Sequence, residues 1–520
     1  MLGTAVVLSA CSSDEIGRQE PVIDPSQSLS FVKVNIKGVD NATAGRAVYD
    51  NGDGKEYAVN NAVLVVFKST DADVATAEEN ATYVCTAPLT TGAWTNGSDA
   101  GVSATASLTA KLDLSTVSAT DNLFALVVLN YKTTDASGTD KAFALPSTTF
   151  KAWREAAQEN VTMVDGDYLT MTNAVRYSAD GKHTTLVALD RSAVAGSADG
   201  VTKAAATVYV QRNVAKLTLQ ANASYSLNNG TYTVTGWGID NFNTSSYPVQ
   251  RFDGLTTDFA TIWSTARFFD ATASFPRIFW GKDPNYNDDT TPLTRLATLP
   301  TTSPAAAYCL ENTFSLDNQK HAAMTAIVLA GTYVPEGFTS GDTFVKVADK
   351  SQLWKVADIK STIEAAATAA EGSAVTVTLP STGGTYSIAE LTFSATLDTA
   401  KQTAVANALG LSSASDKAIA IYEGGKTYYN IPVKHFNNDT PWTANEATGN
   451  PYNGDNAKYL GRYGIVRNNW YDVTVNAVNS IGSPALPELK DGWVDTEAEN
   501  AVEVTVGILA WSKRSQVEDL

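Results

Sequence analysis

The stretch Ser30-Phe31-Val32-Lys33-Val34-Asn35-Ile36-Lys37 places Val32, Val34 and Ile36 at every second position, with polar residues between them. A period of two is typical of a β-strand that buries one face, because successive side chains of a strand point to opposite sides. Similar runs rich in Val, Ile, Thr and Tyr recur along the chain between Gly, Asn, Asp and Ser turns. With few helical patterns and no regular alternation of strands and helices, the sequence predicts an all-β protein built from sandwiches.

Length and composition limit the classes of protein that fit this chain. Its 520 residues exceed one ordinary hydrophobic core, so two or three domains are expected. The 37 Lys and Arg residues are outnumbered by 55 Asp and Glu residues, which gives a net charge of −18. So acidic a chain does not favour a nucleic-acid partner or a polybasic membrane patch, because both need clustered positive charge.

A stretch of small residues at 192–206, rich in Ala, Gly and Ser, predicts a boundary between two domains. We therefore expect an N-terminal β-sandwich over residues 47–205 and a C-terminal β-sandwich over residues 206–490. Apolar residues recur at helical spacing in 351–370 and 399–411, so the second domain should carry a few short helices.

The apolar run 2–10 ends in Leu8-Ser9-Ala10-Cys11, the pattern of a bacterial lipoprotein signal over residues 1–11. Cys11 would carry acyl chains once the signal is removed, and the precursor would be lipid-anchored at the outer membrane. The polar stretch 12–27 would then be a tether. Cys85 and Cys309 would lie outside the cytosol, where one disulfide or two buried thiols both fit the sequence.

Two strand-like segments near the chain ends suggest an exchange of strands between copies. After the leading strand comes a polar stretch and then Arg46-Ala47, an accessible cleavage site for a trypsin-like protease. Near the other end, a linker over 482–500 precedes an alternating run. Its apolar positions are Val502, Val504, Val506, Ile508 and Ala510.

Cleavage after Arg46 would release the segment 12–46, which contains the displaced strand with Val32, Val34 and Ile36. The vacated apolar groove could then accept the donor strand within 491–520 of another copy by β-addition. The same residues also fit a simpler arrangement, in which Arg46 lies in an ordinary loop and the last strand completes its own sandwich.

Several segments, taken in order, resemble the fimbrial shaft subunits of Bacteroidales, in particular the major-subunit family of the minor (short) fimbrium. The most specific of them is Gly464-Ile465-Val466-Arg467-Asn468-Asn469-Trp470-Tyr471-Asp472-Val473-Thr474-Val475. The others are the lipoprotein signal and residues 45–48, 62–67, 124–130, 168–174, 211–216, 308–313 and 428–435.

This resemblance implies two transthyretin-like β-sandwich domains, export as a palmitate-bearing lipoprotein, Arg-specific maturation and donor-strand assembly into a fimbrium on the cell surface. It implies that the partners are other copies of the chain, anchor and tip subunits, an Arg-specific protease, and host or bacterial surface receptors. The implied role is structural, in support of cell adhesion and biofilm formation.

The sequence shows no pattern typical of an enzyme. His183, His321 and His435 lie far apart, and no P-loop, nucleophile elbow or His-Glu-x-x-His motif occurs. Asp50-Asn51-Gly52-Asp53-Gly54 is similar to the start of a calcium loop, but the twelfth position is Asn61 rather than Glu, so a turn is expected. We therefore expect no catalytic residue, no metal and no cofactor.

Two other functions stay open. A monomeric surface lipoprotein could bind glycans through its Trp and Tyr side chains, and a fimbrial tip or accessory adhesin would share the same family features. A terminal tip subunit needs no donor strand, so the intact alternating run at 502–510 argues against the tip role, and the sequence leaves open whether the subunit belongs to the shaft or the base.

Overall fold

Strands dominate the computed structural model, and they form where the sequence alternates or runs apolar. The structure describes residues 29–39, 48–50, 52–90, 94–96, 102–134, 140–159, 164–165, 168–177, 182–227, 229–255, 268–270, 277–287, 293–315, 318, 320–436, 460–486, 502–509 and 511–517. Its β-sandwich architecture is the fold class that the sequence predicts.

The strands that come first in the chain are β1 (Leu29–Val39), β2 (Val48–Asp50), β3 (Ala62–Ser69), β4 (Thr82–Thr90), β5 (Thr95–Asn96), β6 (Val102–Asp113), β7 (Asn122–Leu129), β8 (Lys132–Thr134), β9 (Asp140–Ala142), β10 (Gln158–Glu159), β11 (Val164–Asp165), β12 (Tyr168–Leu169), β13 (Met171–Asn173), β14 (Arg176–Tyr177), β15 (His183–Thr184), β16 (Val187–Leu189) and β17 (Ala206–Arg212).

The strands that follow are β18 (Ala215–Ala221), β19 (Ser224–Leu227), β20 (Gly230–Asp240), β21 (Ser245–Ser246), β22 (Phe269–Asp270), β23 (Arg277–Ile278), β24 (Ala307–Cys309), β25 (Ala326–Pro335), β26 (Phe344–Val347), β27 (Leu353–Lys355), β28 (Val377–Thr378), β29 (Gly384–Tyr386), β30 (Thr392–Phe393), β31 (Ile419–Tyr422), β32 (Lys426–Pro432), β33 (Asn469–Val478), β34 (Val502–Leu509) and β35 (Trp511–Val517). The α-helices are α1 (Val74–Asn80), α2 (Phe150–Glu155), α3 (Val356–Glu371) and α4 (Thr399–Ala408).

In the first sheet, the pairing of strands closes on itself. The order runs β1-β17-β13-β7-β3-β4-β6, and β6 pairs in turn with β1. The core enclosed by these strands contains Leu64, Leu108, Val127 and Val208, each at most 1% exposed. Because the strands close around this core, each of them is needed to keep water out of it.

The central strands β3 and β7 are buried on both faces. Their second face carries Val65, Phe67, Phe124 and Leu126 into another core, which α1 and α2 cover. The continuous apolar run of β3 follows from this position, because a strand buried on both faces has no solvent side for polar residues. The two short helices of the first domain were not predicted.

The second domain packs two sheets against each other. One has the order β2-β35-β34-β33-β18-β24, and the other has the order β19-β20-β25-β32. Large aromatic residues fill the core between them, among them Tyr232, Trp237 and Tyr471. Tyr232 also packs edge-on against Tyr429, with ring centroids 5.2 Å apart.

Residues 336–425 form a module inserted between two neighbouring strands. Its sheet β27-β26-β31-β29 and the helices α3 and α4 surround a core of their own. Ile359, Ile363 and Ala367 form the buried face of α3, and Gly372 ends this helix with a left-handed backbone. Both helices predicted in this domain are present, although Leu353, which the prediction placed in the first helix, lies in β27 instead.

The domain boundary differs from the prediction after residue 205. The strand β17, Ala206–Arg212, pairs with β1 and β13 of the first sheet, so the chain enters the second domain only at β18. The stretch of small residues before it packs on β1, where Phe31 and Ala195 exchange backbone hydrogen bonds of 2.7 and 3.0 Å. Conversely, β2 pairs with β35 in the second domain, although its sequence position lies in the predicted first domain.

Two buried carboxylates interact in the second domain, and one of them is paired with an arginine. Arg467 forms an ion pair with Glu311, with 3.0 Å between Nη2 and Oε2, and both side chains are 0% exposed. Burial raises the pKa of Glu311, although the charge of Arg467 opposes this shift. Burial also raises the pKa of Asp283 well above its usual range, and nearby Glu311 adds to the effect.

Replacing the buried arginine should destabilise the protein strongly. Arg467→Met leaves Glu311 buried without its partner, so we expect the free energy of unfolding to fall by about 3–5 kcal/mol. As a matched control, Lys151→Met removes the exposed Lys151–Glu79 pair, which should change stability little because solvent screens it. Chemical denaturation followed by Trp fluorescence measures both, and equal losses would contradict the role given to Arg467.

Cys85 and Cys309 are free thiols in the structure. The sequence left open a disulfide or two thiols, and the structure has two thiols. Cys85 is partly buried and Cys309 is buried. Burial raises the pKa of Cys85 to about 11 and that of Cys309 to about 12.

Both thiols should therefore react slowly in the folded protein. At pH 8 a thiol with a pKa of about 11 has roughly 100-fold less thiolate than one with a pKa of about 9. In a Cys11→Ser variant kept free of reductant, we expect two thiols to titrate rapidly in denaturant and slowly without it. Failure to detect thiols in denaturant would instead indicate a disulfide.

Candidate strand-exchange site

The leading strand β1 lies inside the first domain. Along its whole length it pairs antiparallel with β6, from Leu29 opposite Asp113 to Val39 opposite Val102. On its other side it pairs in parallel with β17, from Val34 opposite Ala206 to Gly38 opposite Val210. A strand with partners on both sides cannot leave without breaking both ladders.

The predicted displaced residues Val32, Val34 and Ile36 are each 0% exposed and belong to the first core. The alternate residues Lys33 and Asn35 are only partly buried. Burial of three such aliphatic side chains contributes about 5–9 kcal/mol, at about 1.5–3 kcal/mol each. The removal of β1 would therefore open the core rather than trim an outer strand.

The walls of the groove that β1 would vacate come from strands that the sequence analysis did not single out. The inward positions of β6 include Leu108 and Leu112, and those of β17 include Val208 and Val210. The strand β6 does alternate with period two, but small residues at Ala104, Ala106 and Ala110 weaken its apolar signal. A search for period two that counted alanine as apolar would have found it.

The C-terminal strand pairs with its own domain in this structure. The strand β34 runs antiparallel to β33, with Val506 opposite Val473 and Val504 opposite Val475. The strand β35 turns back on β34, and β2 pairs with β35. Of the predicted site residues, Cys11, Arg46, Ala47 and Ala510 lie outside the described residues, and Val502, Val504, Val506 and Ile508 are described by their backbone pairing.

The segment that follows the predicted cleavage site is anchored between the domains by Glu56. Its Oε1 lies 2.6 Å from the Lys216 Nζ in a buried ion pair and accepts a 2.5 Å hydrogen bond from the Tyr308 hydroxyl. The Arg212 Nε donates to the Glu56 carbonyl oxygen at 2.8 Å. Burial and the Glu56 carboxylate both raise the pKa of Tyr308, so its hydroxyl remains a donor.

Asp53 and Glu56 cap each other in the short 3-10 helix Gly54–Glu56, so the acidic stretch 50–54 leads into a capped turn. Among the residues that the structure describes, no group of three His, Cys, Asp or Glu side chains could hold a metal ion. No helix in the same part of the chain has the length and apolar character needed to cross a membrane.

The motif at 464–475 forms the turn and strand beside which the tail pairs. Asn468 has a positive φ of 57° in the turn, and β33 begins at the next residue. The Tyr471 hydroxyl accepts a hydrogen bond from the Val466 amide at 2.8 Å and lies 2.7 Å from Nδ1 of His435. The side chains of this motif thus fix the position of β33.

Comparison with known proteins identifies this same region. Residues 420–517 match the family described as Major fimbrial subunit protein type IV, Fimbrillin, C-terminal. The match contains β32 to β35, including the motif and the C-terminal strands. It supports a fimbrial subunit family for the chain, as the sequence resemblance predicted.

No curated protein matches this chain. A solved structure of a protein named for cell adhesion from Parabacteroides distasonis is 13% identical and has a TM-score of 0.37, with 92% of this chain and 96% of that chain covered. Another from Bacteroides eggerthii is 11% identical, with a TM-score of 0.35 and coverage of 93% and 97%. A fimbrial assembly protein from Parabacteroides distasonis is 12% identical, with a TM-score of 0.26 and coverage of 63% and 96%.

A charge on the inward face of β1 should disrupt the first domain. Val34→Asp would bury an unpaired carboxylate in the core, so we expect a loss of about 3 kcal/mol or more in unfolding free energy. Lys33→Asp, at the neighbouring and partly exposed position, is the matched control and should change stability little. Thermal unfolding compares the two variants, and equal effects would mean that the face of β1 is assigned wrongly.

Proposed function

We propose that this protein is a structural subunit of a cell-surface fimbrium, polymerised when the C-terminal strand of one copy replaces β1 of the next. The observation that carries the proposal is the burial of Val32, Val34 and Ile36 between two strands of the first sheet. The fimbrial family match at 420–517 supports the same role, and it points to a structural protein rather than an enzyme.

Cleavage after Arg46 would prepare each subunit for assembly. It separates β1 from β2, two strands that lie in different sheets, so β1 alone loses its covalent link to the body. The segment that follows the cleavage site would stay held against the second domain by the buried ion pair of Glu56 with Lys216. An Arg-specific protease is the enzyme class that this site requires.

Once β1 has left, the first domain has an open groove and the second domain has a tail that can fill it. Leu108, Leu112 and Val208 would line the groove and meet water until another strand covers them. The tail must first give up its pairing with β33, so its release and its insertion oppose each other energetically. Insertion prevails when it completes a core that would otherwise remain open.

The remaining parts of the proposal concern the cell surface. The precursor would be exported with the signal 1–11, acylated at Cys11 and anchored at the outer membrane until it is cut. In the polymer, copies of this chain would meet one another and the anchor and tip subunits. Adhesion to host or bacterial receptors and biofilm formation would follow from the assembled fimbrium.

Trypsin treatment of purified precursor tests cleavage and assembly together. We expect ladders on an unheated SDS gel, because inserted strands dissociate slowly once a core closes around them. Arg46→Gln should abolish the ladders, while Arg18→Gln, in the tether, should leave them unchanged. Deletion of 502–520 should abolish them too, without preventing release of the N-terminal fragment.

Two results would contradict this scheme. Ladders from the deletion variant would show that 502–520 is not the donor, and ladders from Arg46→Gln would show that cleavage there is not required. Circular dichroism of each variant before cleavage confirms that its domains are folded.

A further inference from the structure

The chain leaves β33 through a short segment, 480–484, that is held firmly against β32 and the inserted module. Ser483 and Tyr428 exchange two backbone hydrogen bonds, of 2.9 and 2.8 Å. We call this segment and its partners Tyr422, Thr427, Tyr428 and Tyr429 the tail clasp. Residues 485–501 follow it and lead to β34.

Three hydroxyl groups of the tail clasp donate to successive carbonyl groups of the segment. The Tyr429 hydroxyl donates to the Ser480 oxygen at 2.6 Å, and the Tyr422 hydroxyl donates to the Gly482 oxygen at 2.9 Å. The Thr427 hydroxyl donates to the carbonyl oxygen between them, that of Ile481. Burial raises the pKa of both phenols, to about 12 for Tyr422, so each remains a donor over the physiological pH range.

The backbone of the segment fits its surroundings so closely that Gly482 is required. Its φ is +74°, a conformation that other residues rarely adopt. A Cβ atom there would lie 2.7 Å from the Thr427 Oγ1 and from the Tyr428 carbonyl oxygen. On the module side, a Cβ at Gly383 would lie 2.5 Å from the Pro484 carbonyl oxygen, so these two backbones also touch.

Apolar contacts reinforce the tail clasp on both faces of the sheet. Ile481 packs against the core of the second domain. Leu486 packs on the outer face, against the cluster that contains Val328 and Tyr428. Pro484 between them is buried. The segment is therefore held by hydrogen bonds, by close backbone packing and by apolar contacts of Ile481 within it and of Leu486 just after it.

We propose that the tail clasp is the fixed pivot of the C-terminal tail, so that β34 can leave β33 while β33 keeps its place in the sheet. The proposal rests on the proposed function, because it assumes that the tail is released for assembly. It assigns a role to the inserted module, which supplies Tyr422 and Gly383.

The tail clasp also determines which hydrogen bonds bear a force that is applied to the C-terminal tail. Without it, a pull on the tail would peel β33 from β18 one pair after another, starting where Val475 lies opposite Ala221. With it, the pull first meets the hydrogen bonds of 480–484, and several of these must break together. A chain of subunits linked by their tails would thus transmit force to β32 rather than to the end of β33.

Hydrogen exchange on the uncut, monomeric precursor tests the pivot. Thr505→Pro together with Val506→Pro should detach β34 from β33. Of two successive backbone N–H groups in a strand, one points at β33, and proline has no N–H to donate. In this variant we expect β34 to lose protection while the amides of Ser483 and Tyr428 stay within about 3-fold of their wild-type rates. Loss of protection at Ser483 and Tyr428 together with β34 would overturn the proposal.

A second set of variants opens the tail clasp itself. On the same proline background, Gly482→Ala should speed exchange at Ser483 and Tyr428 about 10-fold or more and extend the loss into β33. Gly372→Ala is the matched control, since its φ of +79° carries the same strain but its Cβ meets nothing within 4 Å. Equal exchange in the two alanine variants would overturn the proposal.

Replacing two tyrosines of the tail clasp by phenylalanine tests the hydrogen bonds alone, because the packing of the rings is preserved. Tyr422→Phe with Tyr429→Phe removes two donors and keeps both rings, including the stack of Tyr422 on Phe344 at 4.5 Å. Tyr225→Phe is its control, because the Tyr225 hydroxyl donates to the Val475 oxygen outside the clasp. Faster exchange at Ser483 in the first variant alone supports the pivot, and an equal response in both contradicts it. Ladders from the wild-type chain test assembly separately.

Discussion

Closure of the first sheet depends on β1, which bridges β6 and β17 and buries three aliphatic side chains at the centre of the core. A strand in this position is both a structural necessity and a weak point. Residues 40–47, which contain the predicted cleavage site, connect it to β2 in the sequence. In the proposed exchange, the strand that completes the first core before cleavage is therefore the one that a second copy would have to replace.

The two halves of the proposed exchange are linked by how the chain crosses between sheets. The strand β2 pairs with β35 and stays with the second domain, while β1 belongs to the first. Glu56 and Lys216 hold the connection near the domain junction. The proposed cut between β1 and β2 would therefore open the first core and leave the Glu56–Lys216 pair in place.

The sequence predicted the strand-rich fold, the apolar face of β1 and the helices of the second domain, because each of these follows from a local period of two or 3.6. It did not place β17 in the first sheet, because pairing with β1 and β13 depends on residues distant in sequence. It also missed Glu56 and Arg467 as buried ions, since isolated charged residues near turns look like solvated ones. The strand that pairs with β34 could not be predicted either, because this pairing also depends on residues outside the local pattern.

The module at 336–425 enters and leaves the second domain at adjacent points, since Thr332 of β25 lies opposite Lys426 of β32. Two neighbouring strand ends need only a tight turn to join them, so an insertion at this point leaves the pairing of β25 with β32 intact. If the proposed assembly holds, related subunits that differ in the size of the module inserted here would differ in bulk at this point of each sandwich and still share the same strand order.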